Sequence, residues 1–79
     1  MFLNMSQQAQ PGGALKNLRK VAGLTLDTVA RLADTAPAYL SKVESGRLTP
    51  TPTYMARVAT AIAAEMTRRA NLPAMEAAA

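Results

Sequence analysis

The stretch from Gly23 to Pro50, GLTLDTVARLADTAPAYLSKVESGRLTP, constrains this chain more than any other. Leu26, Val29, Ala30 and Ala33 recur at the three-to-four spacing of a helix with one buried face. Ala30 and Ala33 are small and let another helix approach closely. Thr25 precedes them with a hydroxyl that can cap free backbone N–H groups. Asp27 falls in the first turn, where the helix dipole favours a carboxylate. A second helix is predicted to begin near Pro37, a favoured first helical residue because its missing N–H would be unpaired there anyway. Leu40 and Val43 face the core in this helix, and Gly46 ends it. Only Asp34-Thr35-Ala36 connect the two helices. So short a connection does not allow antiparallel packing of long helices. It suits two helices meeting at a steep angle.

The flanking sequence predicts two more helices. Leu15, Leu18 and either Val21 or Ala22 mark an amphipathic helix from about Ala14 to Ala22, with Lys16, Arg19 and Lys20 between them. Gly23 is its natural stop, because it adopts a left-handed conformation without a Cβ penalty. After the prolines at 50 and 52, Thr51 is a candidate cap with Pro52 at the first helical position. Met55, Val58, Ala59, Ile62 and Met66 then form one stripe, predicting a helix to about Ala70. Asn71 can act as a stop, and Pro73 is expected to prevent continuation. Residues 1–13 carry no charged side chain and end in Pro-Gly-Gly, the composition of a flexible arm. The expected layout is therefore an arm over 1–13, a helical domain over 14–70 and a tail over 71–79.

Composition narrows the chemistry. A chain of 79 residues has room for one small domain. It contains no cysteine and no histidine, which removes disulfides, thiolate chemistry and almost every zinc site. It also lacks the commonest general base and the partner of most nucleophile pairs. Asp27 and Asp34 have no neighbours for acid–base work, so no catalytic residues, metal ligands or cofactors are expected. Two tyrosines, one phenylalanine and no tryptophan argue against a β-sandwich. No apolar run approaches the ~20 residues of a membrane span. Met1-Phe2-Leu3 is too short for a signal peptide and has no basic segment before it. Asn4-Met5-Ser6 fits a glycosylation pattern that has no meaning without secretion. A cytoplasmic protein is expected.

The net charge is +4 and the pI about 10.1. A small basic domain is suited to a polyanionic partner, of which nucleic acid is the commonest.

Taken together, Leu18-Arg19, Gly23-Leu24-Thr25, Val29-Ala30, Ala33, Pro37-Ala38-Tyr39-Leu40-Ser41-Lys42-Val43-Glu44, Gly46-Arg47 and Pro50 resemble the prokaryotic Cro/CI-type (XRE) helix-turn-helix domain of phage repressors and many bacterial regulators. Weaker agreement continues through Val58, Ala59 and Ile62. The resemblance implies an all-α, lambda-repressor-like domain of four to five helices that binds double-stranded DNA. Three positions depart from the family pattern. Leu26 stands where a Gln usually contacts a phosphate. Asp34 replaces the Gly of the tight turn, and Asp tolerates left-handed geometry better than most residues. Ala36 stands where a Ser or Thr often caps the reading helix.

The resemblance also assigns roles. With the third helix in the major groove, Pro37, Ala38, Ser41 and Lys42 meet base edges. Lys42 can donate to guanine O6 and N7, whereas Pro37 and Ala38 offer only apolar contact, such as to a thymine methyl. Thr25, Tyr39, Ser45, Arg47 and Thr49 are the phosphate candidates. The Tyr39 ring could pack on the second helix while its hydroxyl reaches outward. Arg19 and Glu44 match positions that form a buried ion pair in the family. Lys16, Lys20 and Arg31 read as general surface charge. Arg68 and Arg69 read as residues complementing the dipole near the end of the last helix. Leu72 and Met75 lie outside the shared pattern and are the interface candidates for a homodimer. The expected function is a repressor-type transcriptional regulator binding DNA as a dimer. The alternatives are an antitoxin with a toxin as its protein partner, or an interaction module that has lost DNA binding.

Overall fold

The computed structural model describes the backbone of residues 11–78 and the side-chain surroundings as far as Leu72. Its elements in order are α1 (Pro11–Val21), α2 (Leu26–Leu32), α3 (Pro37–Glu44) and α4 (Pro52–Ala78). There is no strand among the described residues, and the fold is all-α with a helix-turn-helix at its centre. The expected arm falls mostly on residues 1–10, which lie outside the described residues.

The first three helices end by the same device. After α1, the Gly23 N–H donates to the Lys20 carbonyl and the Leu24 N–H to the Arg19 carbonyl. After α2, Asp34 and Thr35 donate to Arg31 and Ala30. After α3, Gly46 and Arg47 donate to Val43 and Lys42. Each pair is a Schellman motif, which satisfies the last helical carbonyls by turning the chain into the left-handed region. The turning residues are Gly23 at φ 73°, Asp34 at φ 56° and Gly46 at φ 83°. Asp34 carries a Cβ there, so the α2–α3 turn keeps its geometry with some strain.

Caps fix the opposite ends. Thr25 Oγ1 accepts from the Thr28 N–H at the start of α2, and Thr51 Oγ1 accepts from the Tyr54 N–H at the start of α4. Ala36 gives α3 no side-chain cap, and Pro37 removes one of the donors that would need one.

The core joins all four helices. Leu15, Val29, Leu40, Val43, Val58 and Ile62 are its larger aliphatic members, with Ala30 and Ala33 at the close contacts and Leu24 closing the α1–α2 corner. Ala22, rather than Val21, completes the apolar face of α1, because Val21 is 78% exposed. Tyr54 is buried as well, although the Met55-Val58-Ile62 spacing does not single it out. Met66, expected on the same stripe, is exposed.

Two helix boundaries differ from expectation. α1 starts at Pro11 rather than Ala14, so Pro-Gly-Gly opens a helix instead of ending an arm. Pro11 supplies a preset first-turn φ, and Gly12 is fully packed against the end of α3. A Cβ at Gly12 would overlap the Val43 carbonyl oxygen. α4 runs 27 residues to Ala78 and passes through Asn71 and Pro73. Asn71 alone supplies no left-handed exit, and the helix continues although Pro73 cannot donate to the carbonyl four residues back.

The longer α4 also changes the reading of Arg68 and Arg69, which are not in its last turn. Both close on Glu65. Arg68 Nε and Nη2 lie 2.9 and 2.6 Å from its two oxygens, and Arg69 Nε lies 2.8 Å away. The Arg68 and Arg69 hydrogen bonds hold the Glu65 carboxyl down at about 2. These i,i+3 and i,i+4 pairs brace the helix beyond the core.

Replacing Gly12 with alanine should force α1 off α3. The expected loss is about 1–3 kcal/mol, read as a fall in Tm of roughly 5 °C or more.

Candidate nucleic-acid interface

α3 has two chemically different sides. Leu40, Val43 and Glu44 are buried, while Pro37, Ala38, Ser41 and Lys42 are exposed. The exposed four fall at helical neighbour spacing (Pro37 with Ser41, Ala38 with Ser41 and Lys42), so they make one continuous strip. Its only charge is the Lys42 ammonium, which forms no ion pair among the described residues.

A bidentate ion pair fixes how that strip is presented. Arg19 Nε and Nη2 each donate to one Glu44 oxygen, both at 2.9 Å. The third guanidinium nitrogen, Nη1, donates to the Leu24 carbonyl at 3.0 Å. One side chain of α1 thus holds the end of α3 and the corner leading into α2. The Arg19 and Glu44 side chains are 12% and 5% exposed. The Glu44 hydrogen bond raises the Arg19 pKa further above its ordinary value. Such a pair specifies an orientation more than it adds net stability, because desolvation offsets most of the attraction.

The remaining candidates occupy three places. Thr25 is exposed at the start of α2, where its hydroxyl donates to Thr28 Oγ1 at 2.8 Å while accepting from the Thr28 N–H. Ser45, Arg47 and Thr49 are exposed just past α3. The Ser45 hydroxyl donates to the Lys42 carbonyl at 3.1 Å, which helps finish the helix and occupies its proton. Arg47 carries no ion pair among the described residues.

Tyr39 is 43% exposed. Its ring meets Tyr54 of α4 edge to face, at 5.2 Å between centroids and an interplanar angle of 61°. The sequence reading missed Tyr54, Thr35 and Arg57, which join Tyr39 at the start of α3. The Tyr54-x-x-Arg57 spacing was visible as a helical neighbour pair. Its meeting with the α2–α3 turn is a tertiary fact.

Leu72 is half-buried near the far end of α4, roughly 30 Å along the helix from Pro52. The side chain of Met75 lies outside the described residues.

Two helices joined by a short turn, the second with a buried rear face, an exposed front and cations beside it, make up the helix-turn-helix of a DNA-binding protein. A family model described as a helix-turn-helix domain matches residues 12–72, and the chain belongs to that family. No curated protein and no solved structure gives a significant match.

Replacing Glu44 with alanine leaves the buried Arg19 without its partner. A loss of about 3 kcal/mol is expected, read by urea unfolding. The same variant, assayed well below its Tm, should change DNA sequence preference less than it changes folding stability.

Proposed function

We propose that this protein is a sequence-specific transcriptional regulator of the Cro/CI type, acting as a repressor. The observation that carries the reading is the exposed strip Pro37, Ala38, Ser41 and Lys42 on a helix whose opposite side is locked to α1. α3 lies in the major groove, and Lys42 donates to guanine O6 and N7. Pro37 and Ala38 contribute apolar contact, and Ser41 adds a small hydroxyl. One strong donor makes direct readout thin, so DNA shape carries part of the specificity.

Arg47 and Thr49 contact the backbone beyond the end of α3. Thr25 and Ser45 do so less strongly, because their hydroxyl protons are engaged within the protein. The chain acts as a homodimer on an inverted repeat, with half-sites about 34–36 Å apart. The end of α4, where Leu72 and Met75 stand three residues apart, supplies the contact between copies. Repression follows from occupancy of the site and responds to protein concentration.

Selection of bound sequences from random duplex DNA tests the reading. The unsubstituted chain should enrich one inverted motif. Lys42→Ala should relax the preference at one position per half-site by about 1–3 kcal/mol. Arg47→Ala should instead weaken binding to all sequences alike and make its salt dependence shallower. No enrichment by the unsubstituted chain would favour an interaction module that does not read DNA.

A further inference from the structure

Lys42 and Arg47 place cations on the second turn and far end of α3. A separate cluster stands at its beginning. Asp34, Thr35, Ala36, Tyr39, Tyr54 and Arg57 line an open cleft of about 410 Å³. Tyr54 organises it. Its hydroxyl shares a 3.1 Å hydrogen bond with Thr35 Oγ1, and its ring meets the Tyr39 ring edge to face. The Arg57 guanidinium lies over the Tyr54 ring, 5.4 Å from the centroid. This cation–π contact positions Arg57 without neutralising it. Among the described residues Arg57 forms no ion pair and no hydrogen bond, so its donors face the cleft and solvent unused.

We propose that this cleft seats a phosphate of the DNA backbone, with Arg57 as the contacting cation and Tyr39 and Tyr54 as the platform that aims it. The proposal rests on the DNA-reading role of α3 given above. A guanidinium is a planar fork of donors suited to two phosphate oxygens. The cleft opens at the first turn of the helix proposed to enter the groove, where a flanking backbone strand must pass. It also provides an anchor that Leu26, an aliphatic side chain at the start of α2, cannot. Asp34 is the one carboxylate on the rim, and it forms no ion pair with Arg57.

The test uses the full chain with Arg57→Gln and Arg57→Lys, titrated against a duplex selected by the unsubstituted chain and against an unrelated duplex. Arg57→Gln should weaken binding to both duplexes roughly tenfold. The slope of log affinity against log salt should become shallower by about 0.9, the value for one phosphate contact. Arg57→Lys should restore that slope. Arg57 is exposed, so thermal melting should fall by no more than the few degrees its contact with the Tyr54 ring contributes. An unaltered slope in Arg57→Gln, with Lys42→Ala and Arg47→Ala still impaired, would overturn this proposal and leave the DNA-reading function standing. Loss of self-association in Arg57→Gln by sedimentation would overturn it by assigning the cleft to a second copy of the chain. Arg57-dependent saturation by inorganic phosphate at millimolar concentration, without DNA, would overturn it in favour of a free-anion site. Absence of salt-dependent DNA binding by the unsubstituted chain would overturn both.

Discussion

The rest of this small fold depends on the attachment of α1 to the end of α3. Two contacts make it. At one level Gly12 admits the Val43 carbonyl into space a side chain would fill. At another, Arg19 grips both oxygens of Glu44 and the Leu24 carbonyl. The first contact sets how near the helices come, and the second ties the end of α3 to α1 and to the α1–α2 corner. Core packing among Leu15, Leu40 and Val43 then follows, since apolar side chains fit closely only once the backbones are placed. Neither contact faces outward. Their effect on function is indirect, through the direction in which the front of α3 points.

The charge arrangement follows the same logic. Glu44 is consumed by Arg19, and Glu65 by Arg68 and Arg69. Asp27 and Asp34 remain exposed at the two ends of α2. Lys42, Arg47 and Arg57, on and beside α3, are left without carboxylate partners among the described residues, as are Lys16, Lys20 and Arg31 on α1 and α2. Part of the basic character of the chain is therefore available where a polyanion is proposed to meet the helix-turn-helix, not cancelled within it. The thin polar content of the reading strip fits this distribution. In the proposed reading, positioning falls to the flanking cations, and base discrimination to one lysine and to DNA shape.

Local rules account for what the sequence made legible. The all-α architecture and its central helix-turn-helix follow from three-to-four periodicity, the glycines at 23 and 46 and the proline at 37. The exposure of Pro37, Ala38, Ser41 and Lys42 follows from the burial of Leu40 and Val43 on the opposite side of the same helix. Other features needed contacts that no local rule supplies. Pro11-Gly12-Gly13 has the composition of a linker, and only the nearness of Val43 shows why glycine stands in a helix. Asn71 and Pro73 are ordinary stop signals that α4 overrides. The Tyr39–Tyr54–Arg57 cluster joins two helices and a turn, so its members look unrelated along the chain.

In the proposed function DNA meets the exposed side of α3 and the residues flanking it. Titration of ¹⁵N-labelled protein with duplex DNA, followed through its backbone amide resonances, tests this placement. The largest changes are predicted at residues 38–42 and 47–49, with smaller ones at Thr25 and Arg57 and none on the buried side of α1. Changes confined to the end of α4, with residues 38–42 unmoved, would contradict it.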